Sequence, residues 1–263
     1  MEVIVCRGAE DHLSKSLSCS TAKAVKLSNI PKATFYADLS AIRGERGNPM
    51  KRILVACEES QAVTMAFRKL GALAFSCDIQ ECSGGHPEWH IKDDCLKVLR
   101  QDVTFTTCDR KKHHIKEWDL IIAHPPCTYL SSAGNAWFNT ERYGAKALAR
   151  WQLRSEAMDF FMACINAPAK HVCVENPLGY PNSAYKAATQ IIQPWQFGDP
   201  FYKRTCLWLK GLPVLVPTEV LSKADKEWYQ QAWYLTDDER RKVRSKTFPG
   251  IAEAMANQWI KAI

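Results

Sequence analysis

Four short runs, RILVA (52–56), ALAFSCDI (72–79), WDLIIAH (118–124) and KHVCVENP (170–177), constrain this chain most, because each contains three or more successive apolar residues rather than apolar residues at alternate positions. Strands of that kind are buried on both faces, which happens where helices cover both sides of a parallel sheet. Helical segments accompany them. QAVTMAFRKLG (61–71) puts Val63, Ala66, Phe67 and Leu70 on one face and stops at Gly71, while the stretch 141–167 repeats Trp151, Met158, Phe161 and Ile165 at helical spacing. KRTCLWLKG (203–211) adds a strand and GIAEAMANQWIKAI (250–263) a closing helix. The pattern predicts an α/β fold, a mainly parallel twisted sheet with helices on both faces.

A chain of 263 residues with 46% hydrophobic content can bury one substantial core. Residues 1–49 show no sustained period and end in the charged Gly/Pro segment IRGERGNP, so a boundary is expected near Met50. The expectation is an N-terminal extension over 1–49, with Met50 as an alternative start of translation, and one main domain over 50–263. No repeat or low-complexity tract interrupts it. No window approaches about 18 consecutive apolar residues, which excludes a membrane-spanning helix. The N-terminus lacks the basic start and apolar run of a secretory leader, so the 11 cysteines are expected to be reduced thiols in the cytoplasm. The net charge of +7 suits a polyanionic partner such as nucleic acid without requiring one.

In an open α/β sheet, ligands collect beyond the carboxyl ends of the strands. The chemistry-bearing residues stand there: ACEES after the first strand, Asp78 at the end of the second, HPPC after 118–124 and ENP within 170–177. Free cysteine is among the most buried residue types, so packing is the plain reading of Cys127 taken alone. Two rigid prolines before it and the polar turn TYLSSAGN after it instead hold the thiol at a cleft in one orientation. A reactive thiolate there would need backbone donors or nearby cations.

PPCTYLSSAG (125–134) resembles the nucleophile motif of DNA cytosine-5 methyltransferases, which pairs Pro-Cys with Ser-x-Ala-Gly at this spacing, and VENP (174–177) resembles the family's Glu-Asn-Val motif in the expected order. The resemblance runs from about residue 51 to 263. It implies a Rossmann-like class I methyltransferase of the small phage or prophage type, working in the cytoplasm with S-adenosylmethionine on DNA. Cys127 would be the nucleophile that adds to cytosine C6. Glu175 would supply a proton or strong hydrogen bond at N3. Arg204 is the basic residue the resemblance points to near the base, with Lys203 beside it as the other choice. Pro126, Ser131, Asn176 and Lys203 would line the substrate side. Pro177 replaces the family's usual valine.

On the cofactor side the family's Gly-rich loop is replaced by ACEESQ (56–61), which brings Ala56, Cys57, Glu58 and Ser60 to the cofactor, with Ser60 able to cap the following helix. Asp78, 22 residues beyond Ala56, is placed to accept from ribose hydroxyls, with Ile79 beside it. Asp94 resembles the acidic residue that contacts the adenine amino group. Pro125 and Thr247, the latter in TFPGIAEAMA, complete the expected cofactor contacts.

Other groupings compete. Cys77, Cys82, His86, His90 and Cys95 are zinc-type ligands, but their spacing matches no paired Cys-x-x-Cys arrangement, and no metal is expected. GNAWFNTERYGAKALAR (134–150) interleaves Trp137, Phe138 and Tyr143 with Arg142, Lys146 and Arg150, which suits a strip closing over nucleic acid or an ordinary amphipathic helix. Arg240, Arg241, Lys242, Arg244 and Lys246 could meet phosphates or only solvate a face. The family's large target-recognition region is replaced by about 35 residues, 212–246, so specificity is expected to be low or to come from this short insert or a partner. The protein is expected to be a monomer. The rival functions are the same chemistry on RNA or on single-stranded or modified cytosine, and an inactive nucleic-acid-binding relative.

Overall fold

The structure, a computed structural model, describes residues 50–222, 235, 236, 239 and 243–263. The expected extension over 1–49 lies outside the described residues, as do Arg240, Arg241 and Lys242 of the basic run.

A seven-stranded sheet organises the described chain. In sequence order its strands are β1 (Arg52–Ala56), β2 (Leu73–Asp78), β3 (His90–Lys92), β6 (Leu120–Ala123), β7 (His171–Pro177), β8 (Gln190–Ile192) and β9 (Thr205–Lys210), while β4 (Val103–Thr106) and β5 (Lys112–Ile115) form a separate antiparallel hairpin. The spatial order is β3-β2-β1-β6-β7-β9-β8. The first five run parallel, β9 is antiparallel to β7, and β8 is antiparallel to β9. The fold is therefore α/β with a mainly parallel sheet.

Side-chain alternation explains why the strands are apolar throughout. Leu54, Ala56, Ile121, Ala123, Val172 and Val174 face a core completed by Phe161 of helix α2 (Ala145–Ile165) and by Phe105, Ile115 and Trp118 around the hairpin. Their neighbours Ile53, Val55, Leu120, Ile122 and Cys173 face a second core, filled by Val63 and Phe67 of α1 (Ala62–Lys69) and Met255 and Trp259 of α3 (Pro249–Trp259). Both faces are dry, so neither set of positions can be polar.

The structure departs from the sequence expectation in places. The single helix expected over 141–167 is broken: Gly144, at φ +51, separates a short helix, Thr140–Tyr143, from α2, and the Asn139 carbonyl oxygen Oδ1 accepts from the Arg142 amide at 2.9 Å to cap the first. Strands β3 and β8 are only three residues long, and the hairpin strand KHHI lies in a His-rich stretch, too short or too polar for a sequence pattern. Among the described residues no helix is long and apolar enough to cross a membrane.

Phe161 is fully buried and meets the Trp208 ring edge-on at 5.0 Å between centroids, joining α2 to β9. Phe161→Ala is expected to lower unfolding free energy by about 3–5 kcal/mol in a urea titration.

Candidate active site

Parallel pairing decides what meets at the strand ends. β6 and β7 run in register with Ala123 opposite Val174, so the next residues, His124 and Glu175, come side by side. His124 Nδ1 lies 3.0 Å from Glu175 Oε2, and both side chains are largely buried. The His124 amide donates to the Ala56 carbonyl at 2.9 Å, extending the β1–β6 ladder by one bond. One residue along β7, Asn176 Nδ2 donates to the Pro125 carbonyl at 2.7 Å and ties the Pro-Pro-Cys turn to the neighbouring strand.

The chain after Cys127 is braced twice. The Leu130 and Ser131 amides return to the Cys127 carbonyl at 3.1 and 2.8 Å, closing a turn. Gly179 packs so tightly on this turn that an added Cβ would sit 2.0 Å from the Leu130 carbonyl oxygen, and the Tyr180 amide donates to that oxygen at 2.7 Å. From the other side α2 supplies two arginines. Arg150 donates to the Thr128 carbonyl at 3.3 Å, and buried Arg154 donates to the Tyr129 carbonyl at 2.8 Å and Asn135 Oδ1 at 2.7 Å while lying over the Phe138 ring.

These elements wall a cleft of about 990 Å³. Cys127, Glu175 and Arg204 line it together, as do Pro126, Ser131, Asn176 and Lys203 and, of the residues assigned to a cofactor, Cys57, Glu58, Ser60, Asp78, Pro125 and Thr247. Three of those assigned to a cofactor do not line it. Ala56 is fully buried in the core, because it is the last residue of a central strand. Ile79 is 73% exposed and points elsewhere on the surface. Asp94 instead accepts from the Leu96 amide at 2.9 Å, capping a short turn beyond β3.

No protein-family model matches the chain, and no curated protein matches it.

The loop 56–61 reaches a glycine-type path without glycine. Cys57 and Gln61 both adopt the left-handed conformation, at φ 60 and 59. Non-glycine residues pay about 1–2 kcal/mol for this, and Gln61 is held there by bonds to the His86 amide at 3.0 Å and the His86 carbonyl at 2.9 Å. Gly84 is obligatory behind the loop, since a Cβ there would lie 2.6 Å from the Ser60 carbonyl oxygen. Ser60 does not cap α1. Glu58 does so from outside the helix, its carboxylate accepting from the Val63 amide at 2.6 Å, the Thr64 amide at 3.2 Å and the Thr64 hydroxyl at 2.7 Å. Its burial pushes its pKa up, against the pull of these bonds and of His124.

The electrostatics are uneven. Withdrawal from water in the cleft pushes the Cys127 thiol above its ordinary range, the Glu175 carboxylate adds to the rise, and Lys203 and Arg244 pull the other way without cancelling it. Cys127 is nonetheless the exposed cysteine among those described. Burial alone would raise the Glu175 carboxyl, but the His124 hydrogen bond and the charges of Lys203 and His124 outweigh it and hold it below the usual range. Lys203 thus acts on both groups, and its Nζ donates to the Arg244 carbonyl at 2.8 Å. Of the two neighbouring cations, the charge that reaches Cys127 and Glu175 is that of Lys203 rather than Arg204.

The sequence gives no sign of the positions of His124, Glu59 and Arg244 in the cleft wall or of the brace that Arg154 makes on the Cys127 turn. His124 stands in the motif HPPC, yet only the β6–β7 register reveals its partner. Among the described residues no group of three His, Cys, Asp or Glu side chains is arranged to hold a metal ion. His90 of the zinc-type set bonds Ser76 Oγ at 2.8 Å and the Gln80 carbonyl at 2.9 Å, and His86 stacks on Trp89.

Alkylation of Cys127 by iodoacetamide, read by peptide mass spectrometry, is expected to rise with pH to a midpoint above that of an ordinary cysteine. Glu175→Gln removes a negative charge beside the forming thiolate and is expected to move that midpoint down. An unchanged midpoint would mean that the two groups do not communicate.

Proposed function

We propose that the protein transfers a methyl group from S-adenosylmethionine to C5 of cytosine in DNA through a covalent bond between Cys127 and C6. The observation that carries this reading is the convergence of an exposed thiol, a buried carboxylate and a cation, Cys127, Glu175 and Lys203, on one cleft that also holds Asp78. The sheet order, with one reversed strand between β7 and β8, fits the Rossmann-like methyltransferase fold that the motifs imply.

The residues present fit the cofactor. Asp78 ends β2 at the cleft with a carboxylate suited to ribose hydroxyls, and the left-handed turns at Cys57 and Gln61 give loop 56–61 the path that glycines give elsewhere. The amides at the start of α1 are taken by Glu58, so recognition of the cofactor falls to Asp78 and the cleft walls rather than to that helix end. When bound, S-adenosylmethionine supplies the methyl group.

The chain's own residues do the rest. Cys127, as thiolate, bonds C6 and turns the ring into an enamine nucleophilic at C5. Glu175 meets the pyrimidine edge at N3, where electron density collects. Asn176 holds the Pro-Pro-Cys turn, so the thiol cannot swing away as the bond forms. Lys203 and Arg244 offset the negative charge of thiolate and carboxylate in one cleft.

A second reading, the same chemistry on an unpaired or RNA strand, is favoured by the exposed surface of the short helices that follow the Cys127 turn in the chain. Trp137 is 55% exposed, its ring centroid lies 5.0 Å from that of Tyr143, and Arg142 covers Tyr143. Such aromatic and cationic platforms accept unstacked bases.

The full chain incubated with tritiated S-adenosylmethionine and DNA carrying 5-fluorocytosine is expected to give a denaturation-stable adduct mapped to Cys127, and Cys127→Ser none. An adduct with RNA alone would reassign the substrate. No adduct with either would sink the methyltransferase reading.

A further inference from the structure

The reaction outlined above leaves a proton unaccounted for. N3 must gain one as C6 is attacked, but Glu175 is held as a carboxylate by its surroundings, and a carboxylate can only accept. Beside it stands a histidine with no other task. The His124 ring is 7% exposed, Nδ1 is bonded to Glu175 Oε2 at 3.0 Å, and Nε2 is buried with no hydrogen-bond partner among the described residues. A buried polar atom without a partner is costly, so the ring is not explained by packing. Imidazole is also a side chain whose two ring nitrogens can each hold or release a proton.

We propose that His124 and Glu175 form one proton-holding pair, in which His124 supplies, through Glu175, the proton that cytosine N3 takes up when Cys127 bonds C6. The inference rests on the cytosine reading of the cleft and assigns His124 as a positioning residue that acts through Glu175.

As the S–C6 bond forms, the C5=C6 pair shifts to C4–C5 and the C4=N3 pair moves to N3, which takes the proton from the Glu175 carboxyl. The pair is then one proton short. When C5 takes the methyl group with the C4–C5 pair, the N3 lone pair re-forms C4=N3; on elimination water removes the C5 proton, that C–H pair forms C5=C6, the S–C6 pair leaves with Cys127 as thiolate, and N3 returns its proton to His124 and Glu175. Glu175 Oε2 serves His124 and leaves Oε1 for the base. The charged and titratable groups around the ring are Glu175 from β7, Glu58 from the β1–α1 loop, whose carboxylate interacts with His124, and Glu59, Asp78, Cys127, Lys203, Arg204 and Arg244, which share the cleft.

The test is the single-turnover rate of adduct formation on 5-fluorocytosine DNA between pH 5.5 and 9, in wild type and in His124→Asn, which can still hydrogen-bond Glu175 but cannot carry the proton. At neutral pH the variant is expected to be slower by about 10²-fold, the scale of general acid catalysis. Its rate should rise steadily as pH falls toward the carboxylate range, as Glu175 increasingly draws its proton from solvent, while the wild type shows no such rise. The urea midpoint and Cys127 alkylation report whether the variant is folded. A variant with the wild-type rate overturns the inference, and so does a slower variant whose pH profile is unchanged, since that is what a structural role predicts. In either case the wild-type adduct leaves the cytosine reading standing. Absence of a wild-type adduct on DNA and RNA removes that reading and the proton pair with it.

Discussion

The in-register parallel pairing of β6 with β7 is the constraint on which the site depends. Ala123 opposite Val174 puts His124 against Glu175 at the point where both strands leave the sheet, and three residues later the chain presents Cys127. A slip of one residue would turn each of these side chains to the opposite face. The register is held by dry packing on both faces of the strands and, beyond the sheet, by the seam in which Asn176 bonds Pro125 and Gly179 packs on Leu130. The loop that carries Cys127 therefore hangs from the neighbouring strand as much as from its own.

The same closeness sets the charge problem of the cleft. A carboxylate held ionised next to a thiol opposes formation of the thiolate, and the cations that offset it, Lys203 and Arg244, come from chain far along the sequence, before β9 and before α3. The resting thiol is consequently quiet. Anything that neutralises Glu175, including uptake of a proton, favours thiolate at Cys127, so the charge states of the two groups are coupled through one interaction.

The loop 56–61 solves a backbone problem by unusual means. Left-handed turns at Cys57 and Gln61 are maintained by the bonds of a buried glutamine and by the close approach of Gly84, and the helix end that such a loop commonly offers to an anion is filled by Glu58. The strain is local, and its compensation comes from residues up to 25 positions away.

Much was legible in the chain itself. Uninterrupted apolar runs determined a sheet covered on both sides, since no other arrangement hides both faces of a strand, and the strand-end positions of Asp78, Cys127 and Glu175 determined where a cleft would gather them. The break at Gly144, the short strands β3 and β8, and the outward turn of Ile79 and Asp94 were not legible, because a few residues carry no period and a side chain's direction depends on what packs against it. Nothing in the local sequence around His124 names Glu175 as its partner, 51 residues away, and nothing around Lys203 ranks it above Arg204. Local composition and spacing decided the elements and their chemistry; only tertiary pairing decided which charges meet, because electrostatic coupling follows distance in space and not position along the chain.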